Sequence, residues 1–222
     1  MDAEIKAELV SYEWGVLESL EREYGLDAEL VNGFASSLVD LRTLCRQAAL
    51  PADGEFRAGR IVTMGLTNNV HLLLIGGLRS LEDGNGVLWS QSVRALMELL
   101  GACTLIQEKP AFAPTLLDHV KAGKLYAAAE RARPGLLSDI KRLHSIVHPG
   151  AGAIYVGHRI ANEHGRHAEF TYGLLRYPRE EVHEGATVLG NMAFYIVEKL
   201  KVIVSDTTIQ SMGKIIMKRT DQ

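Results

Sequence analysis

Apolar residues recur at spacings of three and four along most of the chain, and strand-like alternation is nearly absent from its first two-thirds, so the pattern predicts a helical protein. The first segment, about Ala3 to Tyr24, carries Ile5, Leu9, Tyr12, Val16 and Leu20 as a stripe with charges opposite, and should end near Gly25. Asp27 reads as the N-cap of a second helix reaching Leu50, with Leu30, Phe34, Leu38, Leu41 and Cys45 in its stripe and Pro51 as the stop. From about Phe56 to Leu81 a long, weakly charged segment distributes Ile61, Met64, Val70, Leu74 and Leu78 around more than one face, which predicts the central helix of a bundle. The run "EDGNG" breaks it.

A fourth helix follows over Val87 to Gln107, with Val93, Leu96, Leu100 and Cys103 in line. Pro110 and Pro114 punctuate the next connection, and a fifth, more exposed helix is expected over Thr115 to Arg131. Pro134, at a position favoured in the first helical turn, opens a sixth that runs to His148 and stops at Pro149. The texture then changes. "AIYVGHRIANEHGRHAEFTYGLL" alternates short apolar and aromatic pieces around a turn-like "NEHG", predicting a small β-hairpin over Ala153 to Leu175. Pro178 starts a last helix through Asp206, carrying Val182, Ala186, Leu189, Ala193 and Ile196, with the tail as its extension. No repeat or linker divides the chain. The expected organisation is a single all-α domain over 1–222: N-terminal helices in 1–50, core helices in 55–148, a hairpin inserted at 153–175, and a C-terminal helix at 178–206.

With 222 residues the chain can bury a self-sufficient core. Its 24 Lys and Arg against 27 Asp and Glu argue against a broadly basic nucleic-acid binder while leaving room for a local basic patch. Cys45 and Cys103 form no C-x-x-C pair, so neither a disulfide framework nor a thiolate zinc site is suggested, and both are expected as small buried hydrophobes. "MDAEIKAELV" lacks the basic start and apolar core of a signal peptide, which makes the cytoplasm the expected location. "NVHLLLIGGL" is far short of the roughly 20 apolar residues that a membrane helix needs, so no membrane association is expected.

Two polar groupings invite a chemical reading. Arg94 and Glu98, four apart in "SVRALMELL", share one helix face, either as an ion pair on a solvent face or as a buried polar feature that must find partners. In "KRLHSIVHPGAGAIY", His144 and His148 also lie one turn apart, with Lys141 a turn earlier and Ile140, Leu143 and Val147 as the adjacent apolar stripe. Three roles compete for these histidines. They could ligate a metal with Glu98 or a hairpin histidine, but the pair lacks the glutamate of H-E-x-x-H and no spacing identifies a third ligand. They could cap carbonyls or bond a neighbouring helix. They could serve acid-base chemistry or phosphate binding together with arginine, to which an imidazole titrating near neutrality is suited. "HPGAGAIYVG" lacks G-x-x-x-x-G-K-[ST] and follows a helix, so it reads as a glycine turn and not a phosphate loop. Phe170, Tyr172 and Tyr177, interleaved with Arg166, Arg176 and Arg179, fit either RNA stacking or a hairpin packing its aromatics on the bundle.

The order "GLRSLEDGN", "SVRALMELLGACTLIQ", "DIKRLHSIVHPG", over about Val70 to Ala153, resembles a bacterial branch of the HEPN-like all-α superfamily. Members show an Arg-x-x-x-Glu helix followed later by a helix ending in His-Pro. The resemblance implies a HEPN-like bundle and a metal-independent endoribonuclease site, with an Arg-x(4 to 6)-His motif assembled across a homodimer. Arg142 to His148 has that spacing. On this carry-over His148 is the acid-base residue with His144 as its competitor, Arg142 stabilises phosphate charge, and Glu98, through Arg94 or directly, orients the histidine helix. Lys141, Arg166, Tyr172 and Arg176 are the expected RNA contacts. No cofactor or metal is implied; the implied partners are RNA, a second copy, and an antitoxin or other defence-system protein. Leu143 departs from the polar residue, commonly asparagine, that often follows the arginine. Members without ribonuclease activity exist, so a non-catalytic binding or regulatory module with a structural Arg/Glu/His network is the alternative.

Overall fold

The computed structural model describes residues 7–49, 57–117, 120–136, 138 and 179–213, and among them the regular elements are helices, with no strand. In chain order they are α1 (Ser11–Tyr24), α2 (Ala28–Ala49), α3 (Ala58–Glu82), α4 (Gly86–Glu108), a 3-10 helix (Pro110–Leu117), α5 (Ala122–Ala132), α6 (Arg179–Ser205) and α7 (Thr207–Ser211). The helix predicted over Pro134 to His148 is described only at its start, where Leu136 is buried. The hairpin predicted at 153–175 lies outside the described residues.

The termini of α2, α3, α4 and α6 fall close to the periodicity and the punctuation. Asp27 Oδ1 accepts the Leu30 N–H at 2.8 Å and so caps α2. Asn85 Oδ1 does the same for Leu88 at the start of α4. Gly25, at φ 68°, ends α1 by donating its N–H to Glu21 O.

α3 is the hub: it packs against α2, α4 and α6 and also meets α1, α7 and the 3-10 helix. By length and composition alone this helix could cross a membrane, but here its apolar side chains Val70, Leu74 and Leu78 are buried against its neighbours. α6 presents Leu189, Ala193, Ile196 and Leu200 to the same core, all fully buried. Cys103 is buried as well, and burial pushes its thiol up to about 12. Cys45 is only partly buried.

Three boundaries differ from the sequence expectation, each for a local reason. The first predicted helix is broken: Ala7 and Glu8 are helical, but α1 restarts only at Ser11, because Val10 is extended at φ −75°, ψ 154°, and its N–H is taken by the Glu13 carboxylate at 3.0 Å; Ala3 lies outside the described residues. The buried face of α1 is also rotated: Val16 and Leu20 are inside as expected, but Tyr12 is 57% exposed and Glu13 is buried in line with Leu17 and Tyr24. The helix expected from Thr115 to Arg131 is two elements. Pro110 and Pro114 both lack an N–H, the chain tightens into the 3-10 form, and α5 begins only at Ala122. The described part of the tail, as far as Gly213, is no extension of α6 either. Asp206 accepts the N–H groups of Thr208 and Ile209 at 2.8 and 3.3 Å and starts a separate short helix, α7.

α7 folds back on the start of α3, where Ala58 and Gly59 donate their N–H groups to Gly213 O and Met212 O at 2.9 and 3.0 Å. Two of the orphan donors at that helix start are therefore met by backbone instead of a capping side chain. Buried Gln210 adds bonds to Thr63 Oγ1 and Ile203 O. α4 and α5 come into close contact at Gly101, where a Cβ would lie 2.0 Å from Leu125 O.

Candidate functional site

Arg94 and Glu98 sit one turn apart on α4, their side chains 28% and 32% exposed, so the pair is neither on an open solvent face nor enclosed. Their direct approach is 3.6 Å. The closer partner of both comes from α5: Arg94 Nε donates to the Tyr126 hydroxyl at 2.7 Å, and that hydroxyl donates to Glu98 Oε1. A phenol has one proton to give and lone pairs to receive, so a single Tyr126 satisfies a cation and a carboxylate together. The guanidinium also lies 5.9 Å from the Tyr126 ring centroid, at the outer limit of a cation–π contact. Burial, and then the bond to Glu98, raise the Tyr126 pKa above its ordinary value. The bond to Tyr126 raises that of Arg94.

Arg142, His144 and His148 lie outside the described residues, as do Lys141, Arg166, Tyr172 and Arg176. Of the expected site, the structure therefore brings together Arg94 and Glu98 and adds Tyr126. Replacing Tyr126 with Phe keeps the ring and removes both bonds. The expected loss is about 1 kcal/mol, since the partners are part-exposed and a net hydrogen bond contributes about that much. This corresponds to a melting temperature lower by roughly 2–4 °C for a chain of this size. Thermal denaturation followed by circular dichroism measures it.

A second polar cluster, unforeseen in the sequence reading, joins α1, α2 and α3. The Glu13 side chain is 3% exposed; its Oε1 lies 2.8 Å from His71 Nε2 and its Oε2 lies 3.0 Å from both Arg42 Nη2 and the Val10 amide nitrogen. The Arg42 contact is an ion pair and not an aligned hydrogen bond, because buried Nη2 has no well-directed acceptor among the described residues. Glu13 is thus held by a guanidinium, an imidazole and a backbone N–H. A buried carboxylate requires this kind of compensation. One signal was available: an acidic residue occupies the stripe position one turn before Val16 and Leu17. The pairing with residues 29 and 58 positions later has no local signature.

Burial lowers the pKa of His71 from 6.5; Glu13 opposes the shift and Arg42 adds to it. Neutral His71 donates from Nε2 to Glu13, and its buried Nδ1 has no hydrogen-bond partner among the described residues. A folded-state value below the unfolded one means that the unfolded chain binds more protons in the interval between them. The contribution is fully present above about pH 6.5 and is lost as pH falls from there through the folded-state value. His71→Gln should therefore flatten the decline in stability between about pH 7.5 and 5 relative to the natural chain. Urea denaturation at a series of pH values measures it, and parallel curves for the two proteins would refute the assignment.

Among the described residues no three His, Cys, Asp or Glu side chains are grouped to hold a metal ion. Comparison with family models, with curated proteins and with solved structures finds no match for this chain.

Proposed function

We propose that the chain is a non-catalytic binding or regulatory module of HEPN-like kind, in which Arg94 and Glu98 brace helices and do not reach a substrate. The observation that carries this reading is the Tyr126 hydroxyl, which engages both side chains at once and ties α4 to α5. The bridge occupies Arg94 Nε and Glu98 Oε1, so engaging a substrate through either of those atoms would first require breaking it. The module is proposed to act as a cytoplasmic homodimer, for which light scattering at micromolar concentration should report twice the chain mass.

The Arg142-x5-His148 spacing favours a second reading, a metal-independent endoribonuclease that leaves cyclic phosphate ends. One experiment separates the two. Single-stranded RNA is incubated with the natural protein, His148→Ala and Arg142→Ala at neutral pH, with and without EDTA. The binding-module reading expects no cleavage that either substitution removes. The nuclease reading expects EDTA-resistant cleavage that His148→Ala lowers by about 10²- to 10⁴-fold, the usual worth of general acid-base assistance. That second result would overturn the binding module as the primary account.

A further inference from the structure

We infer that the concavity between the 3-10 helix and the start of α5 is a binding site for a compact, multiply charged phosphate group, such as the polyphosphate of a small molecule. The inference stands whichever of the two readings above holds. The cavity has a volume of about 470 Å³, and its lining includes Lys109, Lys121 and Lys124 with Phe112 and Thr115. That size lies within the range of small-molecule sites. Three lysines thus line one hollow in a chain whose net charge is −3. Among the described residues none of the three pairs with a carboxylate, whereas nearby Glu108 is bonded to Arg131.

The placement of two of these lysines opposes the helix they adjoin. Lys121 is the N-cap of α5 and Lys124 stands in its first turn, with no acidic residue in that turn and no side chain capping the start. The N-terminal end of a helix carries partial positive charge and exposed N–H donors, so lysines there are unfavourable unless an anion joins them. Gly123, between the two, has open space where a Cβ would stand, leaving the backbone approachable. Lys124 Nζ sits 4.4 Å above the Phe112 ring, and Phe112 is itself buried as part of the floor. That contact holds one ammonium group over the hollow. Lys109 closes the other side as the C-cap of α4, where a cation is favoured by the helix dipole. Cations on several sides, helix-start donors and a limited volume suit a compact polyanion better than an extended strand, which would need a through-running groove.

The test is calorimetric titration of inorganic triphosphate into the full chain at about 50 and 150 mM salt, with dissociation expected to weaken as screening rises. Lys121→Glu with Lys124→Glu is expected to weaken binding by at least about tenfold, since it replaces two charge-assisted contacts with repulsion. Glutamate at a helix start is favourable, so this variant should stay folded; Lys109→Gln, at an exposed position, gives the same readout with a smaller change. Arg22→Glu, on α1 and outside the pocket, is expected to bind as the natural chain does. One-to-one binding that depends on the pocket lysines and is indifferent to Arg22 supports the site. No binding, binding unchanged in both pocket variants, or equal weakening by Arg22→Glu would overturn it. Binding of a single-stranded oligonucleotide without any binding of triphosphate would also overturn it and make the surface a strand contact.

Discussion

Glu13→Ala is expected to destabilise the protein by about 3 kcal/mol, the lower end of the cost of removing one member of a buried ion pair. The lower end applies because Arg42 and His71 retain 23% and 16% of their side-chain exposure and can recover some hydration. The substitution leaves a guanidinium, an imidazole N–H and the Val10 amide without their shared acceptor. For a chain of this length the corresponding fall in melting temperature is roughly 6–12 °C. Glu13→Gln, which keeps an oxygen for Val10 but loses the charge, should fall between. Replacing Glu13 and Arg42 together with Met should cost less than Glu13→Ala alone, because no charge is then left buried without a partner. If the double variant is the less stable of the two, the side chains do not function as a pair.

The second large effect is steric. Gly101→Ala would place a Cβ 2.0 Å from Leu125 O and 2.6 Å from Leu125 C, and both are backbone atoms that no rotamer change can move. α5 must then move away from α4. Overpacking usually costs about 1–3 kcal/mol, and a backbone obstacle puts this case at about 3 kcal/mol despite the gain in helix propensity from Ala. Because Tyr126 follows Leu125, the same displacement should break the bridge to Arg94 and Glu98, so the effect of Tyr126→Phe should shrink in the Gly101→Ala background. Gly33→Ala is the matched control. Nothing lies within 4 Å of its added Cβ in the interior of α2, and it should stabilise by about 0.5–1 kcal/mol. Thermal melts of the two variants should therefore move in opposite directions.

The candidate site was legible in unequal parts. Arg94 and Glu98 stand out because they are one helical turn apart on an otherwise apolar helix, which is a local property. Their partner is not local: Tyr126 belongs to a separate helix 28 positions after Glu98, and it reads in sequence as one more aromatic on an amphipathic segment. The lysine-bordered hollow was hidden for a related reason. Net charge averages over the whole chain, and only the two prolines that tighten Pro110–Leu117 bring Lys109 round to Lys121 and Lys124.

The sequence by itself determined that the described part of the chain is helical, and it determined where α2, α3, α4 and α6 run. Those properties follow from residues three and four apart, from Asp27 as a cap and from proline and glycine at the breaks, all interactions within a few positions. Only the tertiary structure decided which face of α1 turns inward. Tyr12 and Glu13 are consecutive and point to different sides of the helix, and a rotation of one position chooses between them; Arg42 and His71, supplied by α2 and α3, offset the cost of burying the carboxylate. Tertiary contact likewise decided that Gly59 and Gly101 are points of contact and Gly33 is not, since the periodicity of a helix contains no record of what lies across from it.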